Sequence, residues 1–162
     1  MSVNSPSTFS STAPGHVFRF LGIETVVRAS GSQTGGAFYM SEHLSMPPGF
    51  GTPYHTHTHE DEIFYVLDGE VAFVLNGVWS KGGAGTCVYG PRSIAHGFQV
   101  VGASPARMLL MTTPAKFEEF MDLLSAPVDA PVQPPDLGKL VETANRFGIE
   151  IHGPLPALPD SF

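Results

Sequence analysis

Between Val17 and Thr112 one short apolar segment follows another, each cut by glycine, proline or an Asp-Gly or Asn-Gly pair. Segments this short, rich in Val, Phe, Tyr and Leu, suit the pleated surface of strands better than buried helices. The candidate strands are VFRFLG, ETVVRAS, AFYMSEHLSM, EIFYVLDG, EVAFVLNG, GTCVYGP, HGFQVVG and ARMLLMTT. Asp68-Gly69 and Asn76-Gly77 predict tight turns, because each pair offers a residue that tolerates positive φ. Many short strands with short connections predict an all-β fold, closed into a barrel or stacked in two layers.

The pattern changes at Pro114. In AKFEEFMDLLS, Phe117, Phe120, Met121 and Leu124 fall at helical spacing, which predicts an amphipathic helix covering an open end or edge of the sheets. A stiff proline-rich connector, APVDAPVQPP, leads to DLGKLVETANRFG, a second predicted helix with Asp136 as its cap and Gly148 at its stop. The expected organisation is a disordered tail over residues 1–15, a β-barrel over 16–113, and a C-terminal helical extension over 114–162 that packs on the barrel.

Charge narrows the function classes. A net charge of -7 with only eight Lys and Arg argues against nucleic acid and against an anionic membrane surface. The single Cys87 fits a reducing compartment. The Ser/Thr/Pro-rich start lacks the charged and apolar regions of a signal peptide, so the cytoplasm is the expected location.

The densest chemistry lies in HTHTHEDE, residues 55–62, with three histidines and three carboxylates in eight positions. In an extended chain His55, His57 and His59 point the same way at intervals of about 6.6 Å. Neighbours at i and i+2 can converge on one ion through ring nitrogens about 2.1 Å from it. The outer pair, about 13 Å apart, cannot. At most two of the three therefore share an ion in a straight strand, and further donors must come from elsewhere.

Gly49, His55, His57, Glu62 and Gly69 follow the spacing G-x5-H-x-H-x4-E-x6-G, and Gly85, Pro91 and His96 follow G-x5-P-x4-H. These two motifs resemble those of the cupin superfamily. Two positions depart from its pattern: Ser93 stands in place of the usual Gly, and Val100 in place of the usual Asn. Neither is a ligand in cupins. The resemblance implies a double-stranded β-helix (a jelly-roll barrel) with C-terminal helices. It also implies a metal site of His55, His57, Glu62 and His96, from which His59 is left out. Such donors suit one divalent first-row transition ion (Fe, Mn, Co, Ni or Zn) with positions left open for chemistry.

The segments GGAFYMSEHLSMPPG, HEDEIFYVLDGEVAFVLNG, GPRSIAHGF and LLMTTPAKFEEFM further resemble single-domain cupins of the quercetin-dioxygenase-like kind. That resemblance implies a dioxygenase acting on a small aromatic or enolisable substrate, with Glu62 doubling as the catalytic base, and a homodimer. The alternatives are a non-oxidative isomerase or lyase, and a non-catalytic ligand-binding cupin. Strand alternation from Glu62 and His96 places Phe64 and Phe98 inward. Tyr54, Met40 and Met108 are further candidates for pocket walls. Glu60 and Asp61, with His59, are expected at the barrel rim, and His16, His43 and His152 as surface or packing residues.

Overall fold

The computed structural model describes residues 15–162; the expected tail, all but its last residue, lies outside the described residues. Each predicted strand segment forms a strand. In chain order these are β1 (Val17–Phe20), β2 (Ile23–Ala29), β3 (Tyr39–Met46), β5 (Asp61–Asp68), β6 (Val71–Leu75), β8 (Cys87–Gly90), β9 (His96–Val100) and β10 (Ala106–Thr113). Two more join them, β4 (Tyr54–His57) on the histidine run and β7 (Val78–Gly82). The turns follow their chemistry: Asn76 and Gly77, both at positive φ, reverse the chain between β6 and β7, and Gly69 takes φ 80° between β5 and β6.

The strands pair antiparallel in two sheets. The larger has the order β11-β1-β2-β3-β10-β5-β8 and the smaller β12-β4-β9-β6-β7, where β11 is Ser125–Ala126 and β12 is Ile149–Gly153. This is the expected all-β cupin jelly roll. Alternation assigns the inner faces. Glu62, Phe64 and Val66 of β5 are buried, as are His96, Phe98 and Val100 of β9. Phe64, Phe73 and Phe98 meet between the sheets, with ring centroids 5.6–6.2 Å apart. Burying each such ring stabilises the fold by roughly 1.5–3 kcal/mol, so this cluster fixes the sheet spacing beside His96.

The C-terminal segment forms α1 (Phe117–Leu124) and α2 (Leu137–Arg146). The Asp136 side chain caps α2 by accepting from the Lys139 N–H at 3.0 Å. The segment is more than a helical extension, however. Its β11 pairs with β1, and its β12 lies along β4, with Ile151 opposite His55 and Ile149 opposite His57. The isoleucines and the edge of β4 satisfy each other, which the periodicity of GIEIHGP alone did not reveal. Helix α1 buries Phe117, Phe120 and Met121, and the Phe117 ring lies 5.3 Å from that of His57. Among the described residues no helix is long and apolar enough to cross a membrane.

Candidate metal centre

Strand β4 carries His55 and His57 on one face, and β9 sets His96 directly opposite His55. The chain then leaves β4 and turns through Thr58 to Glu60, and β5 returns Glu62 from the other sheet. This reversal resolves the geometry of the run: His59 falls in the turn and is exposed, while His55, His57, Glu62 and His96 offer donor atoms that all lie within 4.8 Å of one another. Glu62 Oε2 lies 2.6 Å from Nε2 of His96, 3.5 Å from Nε2 of His57 and 3.8 Å from Nε2 of His55.

The other ring nitrogens fix the tautomers. His55 Nδ1 lies 2.8 Å from the Pro53 carbonyl and His96 Nδ1 2.8 Å from the Ile94 carbonyl. Carbonyls only accept, so both Nδ1 atoms carry hydrogen, and each Nε2 faces the centre. His57 Nδ1 is held at 3.4 Å by the Glu60 carboxylate, and His57 Nε2 is buried with no hydrogen-bond partner. An orphaned acceptor among three imidazoles and a carboxylate, each imidazole oriented from behind, fits a metal ion. The cluster can therefore hold one.

Electrostatics support the same reading. Burial opposes charge on Glu62, but His57, His55 and His96 outweigh it and hold the carboxyl well below the usual range. Burial pushes His55 down against the pull of Glu62. For His96 burial acts downward too, yet its hydrogen bond to Glu62 wins and raises it.

One residue departs from its expected place. Glu60 is not at the rim: it is 2% exposed and orients His57 from behind. Its burial lies outside strand alternation, because it sits in the turn between β4 and β5. His43, expected at the surface or in packing, is buried on the inner face of β3 with Tyr39 and Ser41. Its parity was hidden in the sequence because apolar residues flank it on both faces. Asp61 does lie at the rim, where Arg92 binds it through Nε and a second guanidinium nitrogen, each at 3.0 Å, and through its backbone N–H at 2.8 Å. This clip joins the start of β5 to the loop before β9, and so ties the segments of the two motifs together.

Ser93, in that second loop, takes φ 65° and donates its N–H to the His57 carbonyl at 2.7 Å. A left-handed φ strains any residue with a Cβ. Ser93→Gly is therefore expected to stabilise the fold by about 1 kcal/mol, read as a rise in the denaturation midpoint with metal uptake unchanged.

Two small chambers flank the centre. One, of about 50 Å³, is lined by His43, His55, Glu62, Phe64, Phe98 and Phe117 among others; the second, of about 60 Å³, by His55, His57, Phe117, Phe120 and Leu140 among others. Phe64 and Phe98 thus wall the site as alternation implied. The other three pocket candidates do not line either chamber. Met108 is fully buried between His43 and Val66, Met40 lies on the opposite face of β3 from Ser41, and the Tyr54 hydroxyl accepts from the Gly77 N–H at 3.1 Å, outside the barrel. A wider vestibule of about 850 Å³ opens outward past Leu21, Phe50, Thr52, Leu140 and Ile151.

Burial lowers the His43 pKa from 6.5 to about 4, against a small opposing pull from Glu62. A group held neutral in this way favours the folded state above its unfolded pKa, and that contribution is lost as pH falls from about 6.5 toward 4. It amounts to about 3 kcal/mol in all. Urea denaturation across that range is expected to show a flatter pH dependence for His43→Gln than for the natural chain.

Residues 42–112 match the cupin domain family. No curated protein sequence matches the chain. Among solved structures, KdgF from a Halomonas species is similar, at 18% identity over 64% of this chain and 91% of that one, with a TM-score of 0.56. A predicted oxalate decarboxylase from Thermotoga maritima is 24% identical over 65% and 96%, with a TM-score of 0.52. The cupin domain of Schizosaccharomyces pombe Cnp3 is 15% identical over 67% and 73%, also at 0.52. At these identities the likeness is one of fold. Over residues 42–112 the chain is similar to the cupin domain family, and both motifs and the two-sheet architecture agree with that likeness.

Proposed function

We propose that the protein is a metal-dependent dioxygenase acting on a small enolisable substrate. The observation that carries this reading is the buried meeting of three Nε2 atoms and one carboxylate at the wall of an apolar chamber. The similarity of its segments to quercetin-dioxygenase-like cupins favours oxidation over other chemistries. When bound, a divalent Fe, Mn, Co, Ni or Zn ion supplies Lewis acidity and open coordination positions.

The chain's own groups do the rest. Glu62 lines the chamber, so it is placed to accept the proton of a substrate hydroxyl. Phe64, Phe98 and Phe117 make most of that wall apolar, which strengthens polar contacts inside it. The size of the space bears on the substrate. Chambers of about 50 and 60 Å³ each accept a few heavy atoms, and a three-ring flavonol has no room in either. Small α-hydroxyketones, β-diketones and enediols fit better than quercetin.

The test is oxygen consumption by protein reconstituted separately with Fe²⁺, Mn²⁺, Co²⁺ and Ni²⁺, over a panel of such compounds with quercetin included. Substrate-dependent O2 uptake is the expected result. Equal turnover under argon would replace the oxygenase with an isomerase or lyase, and saturable binding without turnover would leave a binding module.

A further inference from the structure

We propose that His43 anchors the substrate at the end of the inner chamber away from the metal centre, its Nε2 accepting a hydrogen bond from an O–H or N–H of the ligand. The ligand would then be a small uncharged molecule with an oxygen for the metal and a separate donor for His43. This rests on the reading of His55, His57, Glu62 and His96 as a metal centre.

The tautomer comes from a short chain of hydrogen bonds. The Thr25 hydroxyl has one hydrogen and two neighbours, the Ile23 carbonyl at 3.2 Å and His43 Nδ1 at 2.9 Å; with the hydrogen assigned to the carbonyl, which can only accept, the hydroxyl accepts from Nδ1. With that assignment His43 holds its hydrogen on Nδ1, and Nε2, for which no protein hydrogen bond is seen among the described residues, is an acceptor. Strand register holds the ring in place, with Thr25 of β2 on one side and Met108 of β10 on the other. The ring lines the same chamber as Glu62 and His55, and apart from Thr52 the remaining lining is apolar. Burial keeps the ring neutral. A neutral acceptor in a mostly apolar chamber selects for a donor and has nothing to offer a carboxylate. Polar groups at two ends of an otherwise apolar space fix a ligand's orientation as well as its affinity.

The experiment uses Co²⁺-loaded protein, whose visible absorption reports ligands entering the metal's coordination sphere, and two probes of similar size. Acetohydroxamic acid carries an oxygen ligand and a donor; acetate carries oxygen ligands and no donor. For His43→Leu, acetohydroxamic acid is expected to bind about fivefold to tenfold more weakly, with acetate within twofold of the natural protein. Equal weakening of both probes, or of neither, would overturn the proposal. A natural chain that takes up no Co²⁺ overturns the reading of the centre and this proposal with it, an outcome separate from any effect of the variant. Long-range ¹⁵N–¹H imidazole spectra of the natural protein provide a second measurement that needs no variant to fold. They should show His43 neutral and protonated on Nδ1 at pH 7, and a hydrogen on Nε2 would overturn the assignment.

Discussion

Metal uptake is expected to survive His59→Ala and to be lost in His57→Ala. Both residues belong to the same run, two positions apart, and a straight strand would point them the same way. The chain ends β4 at His57, however, and turns before β5, leaving His59 exposed with its ring against Gly148. His57 is fully buried, and its Nε2 has no other partner. Its removal deletes one of four donors and also strips Glu60 of its hydrogen bond to Nδ1. Deleting a fully buried ring also leaves a cavity, so His57→Ala should lower the denaturation midpoint as well. Metal content by elemental analysis of untagged protein, with competition against a chelator, decides the matter. Retention by His57→Ala with loss by His59→Ala would shift the register of the site and sink the assignment.

Glu60→Gln is expected to weaken metal binding by about 10–100-fold while leaving the metal-free fold as stable as before or more so. The two effects have one cause. Glu60 is a buried carboxylate whose hydrogen-bond partner among the described residues is His57 Nδ1. One long hydrogen bond, at 3.4 Å, offsets little of the cost of taking a charge out of water. A cation on the far nitrogen of the same ring supplies the missing compensation, so the charge on Glu60 favours the metal-bound state over the empty one. Glutamine keeps the shape and removes the charge. A variant that merely damaged the local structure would lose stability and affinity together. Chelator competition and urea denaturation of the metal-free protein, measured side by side, separate the two cases. An unchanged dissociation constant would show that Glu60 only fills space.

What could be read in advance differs from element to element for identifiable reasons. The strand segments and the cap at Asp136 depend on residues adjacent in the chain, and they were legible. The nomination of His55, His57, Glu62 and His96 came from the resemblance of the two motifs to those of cupins, and the structure brings their donor atoms together. The pairing of β12 with β4 was not legible, since it joins residues far apart in sequence along an edge that no local pattern marks. Glu60 was misplaced because a turn has no alternation to read.

By itself the sequence determined the chemistry available: three imidazoles and one carboxylate in two motifs that resemble those of cupins, on strands of period-two alternation. Tertiary structure alone decided how that chemistry is used. Packing of Phe117 from a helix outside the strand pattern limits the chambers to a few heavy atoms. Carbonyls of Pro53 and Ile94 and the carboxylate of Glu60 orient the rings from behind. The physical reason is range. Alternation is set by steric rules between neighbouring residues, whereas cavity size and hydrogen bonding behind the ligands depend on surfaces that meet only when distant segments pack.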